Sequence, residues 1–188
     1  MTGRMFAQEN SFEVGMKIRH LLFLMLVLLP VPAFGQTNAL SLGYGFGALN
    51  PHQEFGKVQD DRSYHFLYLS YLREKSLFEK AFLVIEPFIS YVHQPEDGLD
   101  LGFNLLFRYY LKVSDQSRLF GNLGIGAAYT SVDFKEQGSH FLFSPQVGIG
   151  FRWGRVFIEN RLRHYSNAHL AEPNKAVNAN LLLVGIFF

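Results

Sequence analysis

The feature that most constrains the fold is an alternation of apolar and polar residues with a period of two, which recurs after residue 36. Alternation of this kind indicates β-strands that have one apolar face and one polar face. No stretch in this part of the chain is long and apolar enough for a membrane-spanning helix, and no helical period is sustained. The pattern predicts eight strands, near residues 39–49, 63–73, 82–93, 99–113, 119–132, 141–153, 156–167 and 179–188.

The two faces of these strands differ strongly in chemistry. In the sixth strand one face carries Phe141, Phe143, Pro145, Val147, Ile149, Phe151 and Trp153, and the other carries Ser144, Gln146, Gly148, Gly150 and Arg152. Eight strands enclose too little space for so many large apolar side chains, so we expect the apolar face to point outward into lipid. The polar face then lines a filled lumen, with Glu86, Arg108, Arg152, Glu159, Arg161 and Arg163 available to pair.

The first 35 residues resemble a secretory signal. Met16-Lys17-Ile18-Arg19-His20 is basic, Leu21 to Leu29 is an unbroken apolar run, and Ala33-Phe34-Gly35 offers small residues for cleavage. The apolar run is too short for a transmembrane helix. We therefore predict a signal peptide over residues 1–35, with translation starting at Met16, followed by one domain over residues 36–188.

A secretory signal and an even number of strands together predict an all-β, eight-stranded antiparallel transmembrane β-barrel of the outer-membrane type. The strand that ends at Phe188 resembles the terminal strand by which such barrels are recognised for insertion. The longer connections, near 50–62, 94–98, 133–140 and 168–178, are expected outside the cell. The shorter ones, near 74–81, 114–118 and 154–155, are expected in the periplasm.

Composition excludes several functions. Residues 36–188 carry 14 basic and 14 acidic side chains, so the charge balance gives no reason to expect binding to nucleic acid. The chain has no cysteine, which excludes a lipoprotein anchor and disulfides. The histidines show no metal-ligand spacing, and we expect neither a metal nor a cofactor. Glu96, Asp97 and Asp100 leave a surface calcium site as an alternative to the solvated loop that we favour.

The seventh strand carries the candidate chemistry. Glu159, Arg161 and Arg163 mark its lumen side, so the alternate residues His164 and Ser166 face the membrane. Serine becomes a nucleophile when a base takes its proton, and histidine titrates in the right range to be that base. The spacing predicts Ser166 as the nucleophile and His164 as the general base.

A third group must orient the imidazole. On the last strand, Asn178 shares the face of Leu182, Val184, Ile186 and Phe188, so it points outward beside the His/Ser pair. Glu159 is excluded because it faces the lumen. Parity therefore predicts Asn178 as the third catalytic residue.

The segment His164-Tyr165-Ser166-Asn167-Ala168-x-Leu170-x-x-Pro173-Asn174 resembles the signature of the lipid A 3-O-deacylases, the PagL family. The resemblance implies an integral outer-membrane serine esterase that removes the 3-O-linked acyl chain of lipid A in lipopolysaccharide. It implies His164 as base, Ser166 as nucleophile and Asn167 as a stabiliser of the oxyanion.

Two positions depart from the family pattern. Asn178 stands where the family has a glutamate, and His169 stands where it has a glycine. Glu172, in the adjoining loop, is a possible alternative acid. The loss of the acid keeps open a second hypothesis, a non-enzymatic structural or adhesive outer-membrane barrel with a degenerate site.

Overall fold

The computed structural model describes residues 37–50, 52–58 and 61–188, which form a closed antiparallel barrel. Each strand pairs with its neighbours in sequence, and the first strand pairs with the last. The predicted fold class is confirmed. The strands are β1 (Asn38–Gly47), β2 (His65–Phe78), β3 (Ala81–Gln94), β4 (Gly98–Lys112), β5 (Ser117–Thr130), β6 (Phe141–Trp153), β7 (Val156–Tyr165) and β8 (Val177–Phe187).

The predicted signal peptide, residues 1–35, and the predicted start at Met16 lie outside the described residues. Among the residues that the structure does describe, no helix is long and apolar enough to cross a membrane.

The barrel exterior is the apolar face that the alternation predicts. Large apolar side chains stay exposed along every strand, among them Leu42, Leu123, Ile149, Ile158 and Val184. A soluble protein rarely leaves so large a continuous apolar surface in water. The exterior therefore suits the hydrocarbon of a bilayer.

Ion pairs fill the middle of the lumen. Arg108 donates to the carboxylates of Glu74 and Glu159, at 2.8 and 3.1 Å. Arg161 donates to Glu86 and Glu159, both at 2.6 Å. These side chains are buried, so each charge is compensated where water is excluded. The predicted lumen positions of Glu86, Arg108, Glu159 and Arg161 are confirmed.

Arg163, near the end of β7, lies in the lumen among aromatic rings. Its guanidinium lies 4.4 Å from the ring centre of Tyr165 and 4.8 Å from that of Phe66. A guanidinium over an aromatic face gains cation–π energy. Arg152, also on the lumen side, stacks over Phe187 at 3.6 Å. Side chains thus fill the lumen at these positions, as expected of an eight-stranded barrel.

The second strand is longer than its sequence predicts. We expected it to end near residue 73, but β2 continues to Phe78 and leaves a two-residue turn before β3. The reason is Glu74, which points into the lumen and pairs with Arg108, 34 residues away. A pairing so distant in sequence leaves no local signal.

The connections separate the two ends of the barrel. Those at residues 79–80, 113–116 and 154–155 are short, and we call that the turn end. Those at residues 48–64, 95–97, 131–140 and 166–176 meet at the opposite end, which we call the loop end. Three of the four loop-end connections are longer than any at the turn end, in agreement with the pattern expected of outer-membrane barrels.

The ion-pair network predicts a large effect of neutralising one carboxylate. Glu159→Gln leaves Arg108 and Arg161 with one carboxylate fewer between them in the lumen. We expect the free energy of unfolding to fall by about 3 kcal/mol. Urea unfolding in phospholipid vesicles, followed by the fluorescence of Trp153, the single tryptophan, measures it.

Glu172→Gln is the matched control, because it makes the same chemical change on an exposed loop. It should leave the unfolding transition where it is. An equal stability of Glu159→Gln and the unaltered protein would contradict a structural role for the network.

Candidate active site

Strand β7 directs His164 to the barrel exterior. Its neighbours Arg163 and Tyr165 are buried in the lumen, 2% and 1% exposed, while His164 is half-buried on the opposite face. Because side chains alternate along a strand, the two buried anchors set the direction of the imidazole between them. The predicted outward parity of His164 agrees with this geometry.

Asn178 lies directly opposite His164 across the β7–β8 ladder. The Oδ1 atom of Asn178 is 2.7 Å from Nδ1 of His164. Deeper on the same exterior face, Asn160 and Asn180 exchange two side-chain hydrogen bonds of 2.8 and 3.1 Å. Two amide contacts therefore tie β7 to β8 on the face that carries the imidazole.

Ser166 follows the end of β7. It exchanges main-chain hydrogen bonds of 2.7 and 3.1 Å with Phe143 of β6, and it is half-buried. It shares the exterior face with His164, because the intervening Tyr165 points into the lumen. Alternate residues of a strand are roughly 6.6 Å apart, so an imidazole can reach the hydroxyl.

Pro145 interrupts the β6–β7 ladder beside His164. The pairs Gln146–Arg163 and Phe143–Ser166 flank the interruption, so the register puts Pro145 opposite His164. Proline has no N–H to donate to the facing carbonyl oxygen. The strands are therefore less tightly joined at the position of the imidazole.

A groove of about 320 Å³ lies on the exterior at this point. His164 and Asn178 line it together with apolar side chains from five segments of the chain. Its apolar lining includes Leu49, Leu123, Pro145, Val147 and Leu162. The groove offers an apolar surface that leads up to the imidazole.

Residues 167–170 form a tight turn after Ser166. The N–H of Leu170 donates to the carbonyl of Asn167 at 3.0 Å, and Ala168 and His169 have φ angles of 53° and 61°. Positive φ at both central residues defines a type I′ turn, which favours glycine. The turn explains why a glycine is suited to position 169, and histidine there adopts αL at a steric cost.

Asn167 is buried, and its hydrogen bonds lie within the loops. Its side-chain amide donates to the carbonyls of Ala171 and Pro173 at 2.9 and 3.1 Å. Its main-chain N–H donates to the side chains of Gln137 and Asn174. The oxyanion role predicted for Asn167 stays a prediction, and these contacts give the residue a second role in shaping the turn.

The 131–140 connection braces the loop that holds Asn167. Gly138 donates its N–H to the carbonyl of Pro173 at 2.6 Å, and Lys175 donates to the carbonyl of Glu136 at 2.8 Å. A Cβ atom on Gly138 would come within 2.2 Å of the carbonyl oxygen of Glu172. Only glycine permits this approach, and it fixes the two loops against each other.

The remaining candidate residues lie apart from His164. Glu172, the possible alternative acid, is exposed and pairs with His169 at 3.5 Å. Asp100 is buried in β4 and does not join Glu96 and Asp97 in a surface site. Across the part of the chain that the structure describes, no cluster of three or more His, Asp or Glu side chains is placed to hold a metal.

Three contributors to the site could not be recognised from the sequence. The carbonyl of Leu49 accepts a hydrogen bond from the side chain of Asn178 at 3.0 Å. Asn50 contacts the main chain of Asn178, and Gln137 contacts that of Asn167. All three lie in connections without periodicity, and the contacts of Leu49 and Asn50 span more than 100 residues of sequence.

Comparison with known proteins agrees with this architecture. A model of the family described as lipid A 3-O-deacylase (PagL) matches residues 39–187. A crystal structure of the outer membrane enzyme PagL superposes with a TM-score of 0.63 at 23% identity, covering 79% of this chain and 98% of that one. The N-terminal β-barrel domain of Pseudomonas aeruginosa OprF gives a TM-score of 0.46 at 15% identity, covering 82% and 99%.

The outer membrane protein OprG from Pseudomonas aeruginosa gives a TM-score of 0.41 at 11% identity, covering 80% of this chain and 93% of that one. Comparison with curated protein sequences gives no match. Because the family match spans almost the whole barrel, the chain belongs to the lipid A 3-O-deacylase (PagL) family, a family of enzymes, and is an integral protein of the outer membrane.

Proposed function

We propose that this protein is a serine esterase that removes the 3-O-linked acyl chain from lipid A, acting from the outer leaflet. The observation that carries the proposal is the 2.7 Å contact between His164 Nδ1 and Asn178 Oδ1, on the barrel exterior beside Ser166. An acceptor on Nδ1 leaves Nε2 of the neutral ring free to take a proton.

In the first half-reaction, Nε2 of His164 takes the proton of the Ser166 hydroxyl as Oγ attacks the ester carbonyl carbon. The carbonyl π electrons move to oxygen and form a tetrahedral oxyanion. When this intermediate collapses, the C–O bond to the sugar breaks, and the protonated imidazole gives its proton to the departing 3-oxygen.

The acyl chain is then held as an ester on Ser166. Water attacks this ester while Nε2 of His164 takes a proton from it, and the second oxyanion collapses to release the fatty acid. The imidazolium returns its proton to Oγ of Ser166. Each proton that the base accepts is given back, and no cofactor is consumed.

The turn after Ser166 is the best source of oxyanion donors. Among the described residues, the main-chain N–H groups of Ala168 and His169 have no hydrogen-bond acceptor. Preorganised N–H donors stabilise developing negative charge without reorganisation. We assign the oxyanion contact to this turn, with Asn167 contributing through the hydrogen bonds that shape it.

A site on the exterior suits a substrate that stays in the bilayer. The apolar groove beside His164 can hold the acyl chain while the ester lies at Ser166. We place the loop end, which carries the site, at the outer surface of the cell, where lipopolysaccharide is found. The predicted signal peptide over residues 1–35 is part of the same proposal.

The first prediction from the proposed function concerns the nucleophile. Membranes that contain the protein should yield lipid A lighter by one hydroxyacyl chain, and Ser166→Ala should lower the rate by about 10³-fold or more. The same loss is expected for His164→Ala. Mass spectrometry of lipid A, from a host whose lipid A carries a 3-O-linked chain, measures both.

Ser114→Ala, at the exposed turn end, is the matched control and should act like the unaltered protein. Heat-modifiable gel mobility checks that each variant is folded. An unchanged lipid A mass with a folded, unaltered barrel would favour the alternative of a non-enzymatic barrel with a degenerate site.

The second prediction concerns Pro145. Valine at this position adds an N–H that can donate to the carbonyl of His164 and close the ladder. We expect the free energy of unfolding of the variant to rise by about 1 kcal/mol, because it forms one more hydrogen bond between β6 and β7. Deacylation should fall about tenfold, because the imidazole and the groove shift.

Pro87→Val is the matched control. Pro87 is also an exterior proline, although it is half-buried, and it interrupts the β2–β3 ladder between the pairs Ser70–Phe88 and Arg73–Ile85, far from the site. It should gain stability without loss of activity. Equal activities of the two valine variants would show that Pro145 does not contribute to the site.

A further inference from the structure

Ala48 and Asn50 hydrogen-bond to the main chain of Asn178. The side chain of Asn50 donates to the carbonyl of Asn178 at 2.9 Å and accepts from its N–H at 2.7 Å. The N–H of Ala48 donates to the same carbonyl at 3.0 Å. Asn50 is 5% exposed and also donates to the carbonyl of Lys57 at 2.8 Å, so its amide is held from several sides.

The same segment contacts the side chain of Asn178. Nδ2 of Asn178 donates to the carbonyl of Leu49 at 3.0 Å, on the side away from His164. A carbonyl oxygen can only accept a hydrogen bond, so it selects the NH₂ end of the amide. Oδ1 is thereby left to face Nδ1 of His164, which must carry the ring proton.

We propose that Leu49 and Asn50 form a positioning element that keeps His164 in its Nδ1–H tautomer and favours an amide over a carboxylate at position 178. The inference rests on the esterase proposed above and adds two residues that act on the base; the side chain of Leu49 also lines the apolar groove, but its main-chain carbonyl is the group that acts here. Both act through Asn178, one on its main chain and one on its amide group.

The preference for an amide follows from the same contacts. An aspartate at 178 would put a second oxygen where Nδ2 now stands, facing the carbonyl oxygen of Leu49. Two oxygens at that distance with no proton between them repel each other. The carboxylate must then push residues 48–50 away, turn from His164, or keep its proton.

This conclusion opposes the simpler expectation for the site. An acid partner stabilises the imidazolium that forms during proton transfer, so restoring an acid is expected to raise activity. In this chain the surrounding loop is built for the amide. A carboxylate introduced alone therefore loses the position of the imidazole before it can stabilise the charge.

The first experiment removes the hydrogen bonds between the side chain of Asn50 and the main chain of Asn178. We expect Asn50→Ala to lower kcat about tenfold with KM changed less than about twofold, because the bound substrate is unaffected and the base is misplaced. Gln53→Ala, three residues further along the same connection, is the control. It should leave both constants unchanged.

A spectroscopic measurement separates positioning from mere stability. The imidazole ¹⁵N chemical shifts of His164, assigned by their loss in His164→Gln, report the tautomer in detergent micelles. The unaltered protein should show the Nδ1–H form, and Asn50→Ala should show a mixture of the two tautomers. An unchanged tautomer together with an unchanged kcat in a folded Asn50→Ala would overturn the proposal.

The second experiment introduces the acid. Asn178→Asp should be about tenfold less active than the unaltered protein at neutral pH. Gln94→Glu, which makes the same amide-to-acid change at the exposed end of β3, is the control and should stay active. An Asn178→Asp variant that is as active as the unaltered protein, or more active, would refute the preference for an amide.

These outcomes differ from a failure of the proposed esterase activity. If the unaltered protein does not deacylate lipid A, the enzyme proposal fails. The tautomer measurement does not depend on turnover, so it still tests the positioning element.

Discussion

Ion pairing inside the lumen determines which way the strands that carry the charges face, namely β2, β3, β4 and β7. Arg108 and Arg161 meet three carboxylates, which come from β2, β3 and β7, in a space that excludes water. A charge without its partner there costs several kcal/mol. A slip of one residue in any of these four strands would send its charges into lipid and its outward-facing apolar side chains into the lumen. Because the barrel is closed, these four strands fix the register of the others, through contacts that lie in the lumen, on the opposite side of the barrel wall from the candidate site.

The direction of the candidate residues is a consequence of that register. Arg161 and Arg163 are committed to the lumen, so His164 must point outward, and the same alternation applies to Asn178 on β8. The register alone does not fix the distances between these side chains. The break in pairing at Pro145, the turn after Ser166, and the loop contacts that hold the ends of both strands determine those distances. The barrel register therefore determines on which face each candidate side chain lies, and the connections determine how these side chains lie relative to one another.

This division explains how much could be predicted from the sequence. Strand number, closure, the two faces and the exterior position of His164 follow from a period of two, which is a local signal. The extension of β2 depends on Glu74 finding Arg108 across the lumen. The hydrogen bonds of Asn167 inside the loops could not be predicted either, because an asparagine after a strand has many possible partners. Contacts such as that between Asn50 and Asn178 join segments 128 residues apart, in connections that carry no pattern.

In the proposed mechanism, a neutral third residue suits the place where His164 and Ser166 lie. At the boundary with hydrocarbon, a carboxylate beside an uncharged imidazole would be an isolated charge for most of the catalytic cycle, and its desolvation is costly. An amide orients the ring without that cost, because both of its ends are hydrogen-bonded to neutral groups. The disadvantage arises only in the transition state, where the imidazolium lacks a counter-charge. On the proposed assignment, Asn178 exchanges part of the electrostatic stabilisation of the transition state for a resting pair of Ser166 and His164 that is neutral and has a single tautomer, and the carbonyl of Leu49 makes that exchange possible.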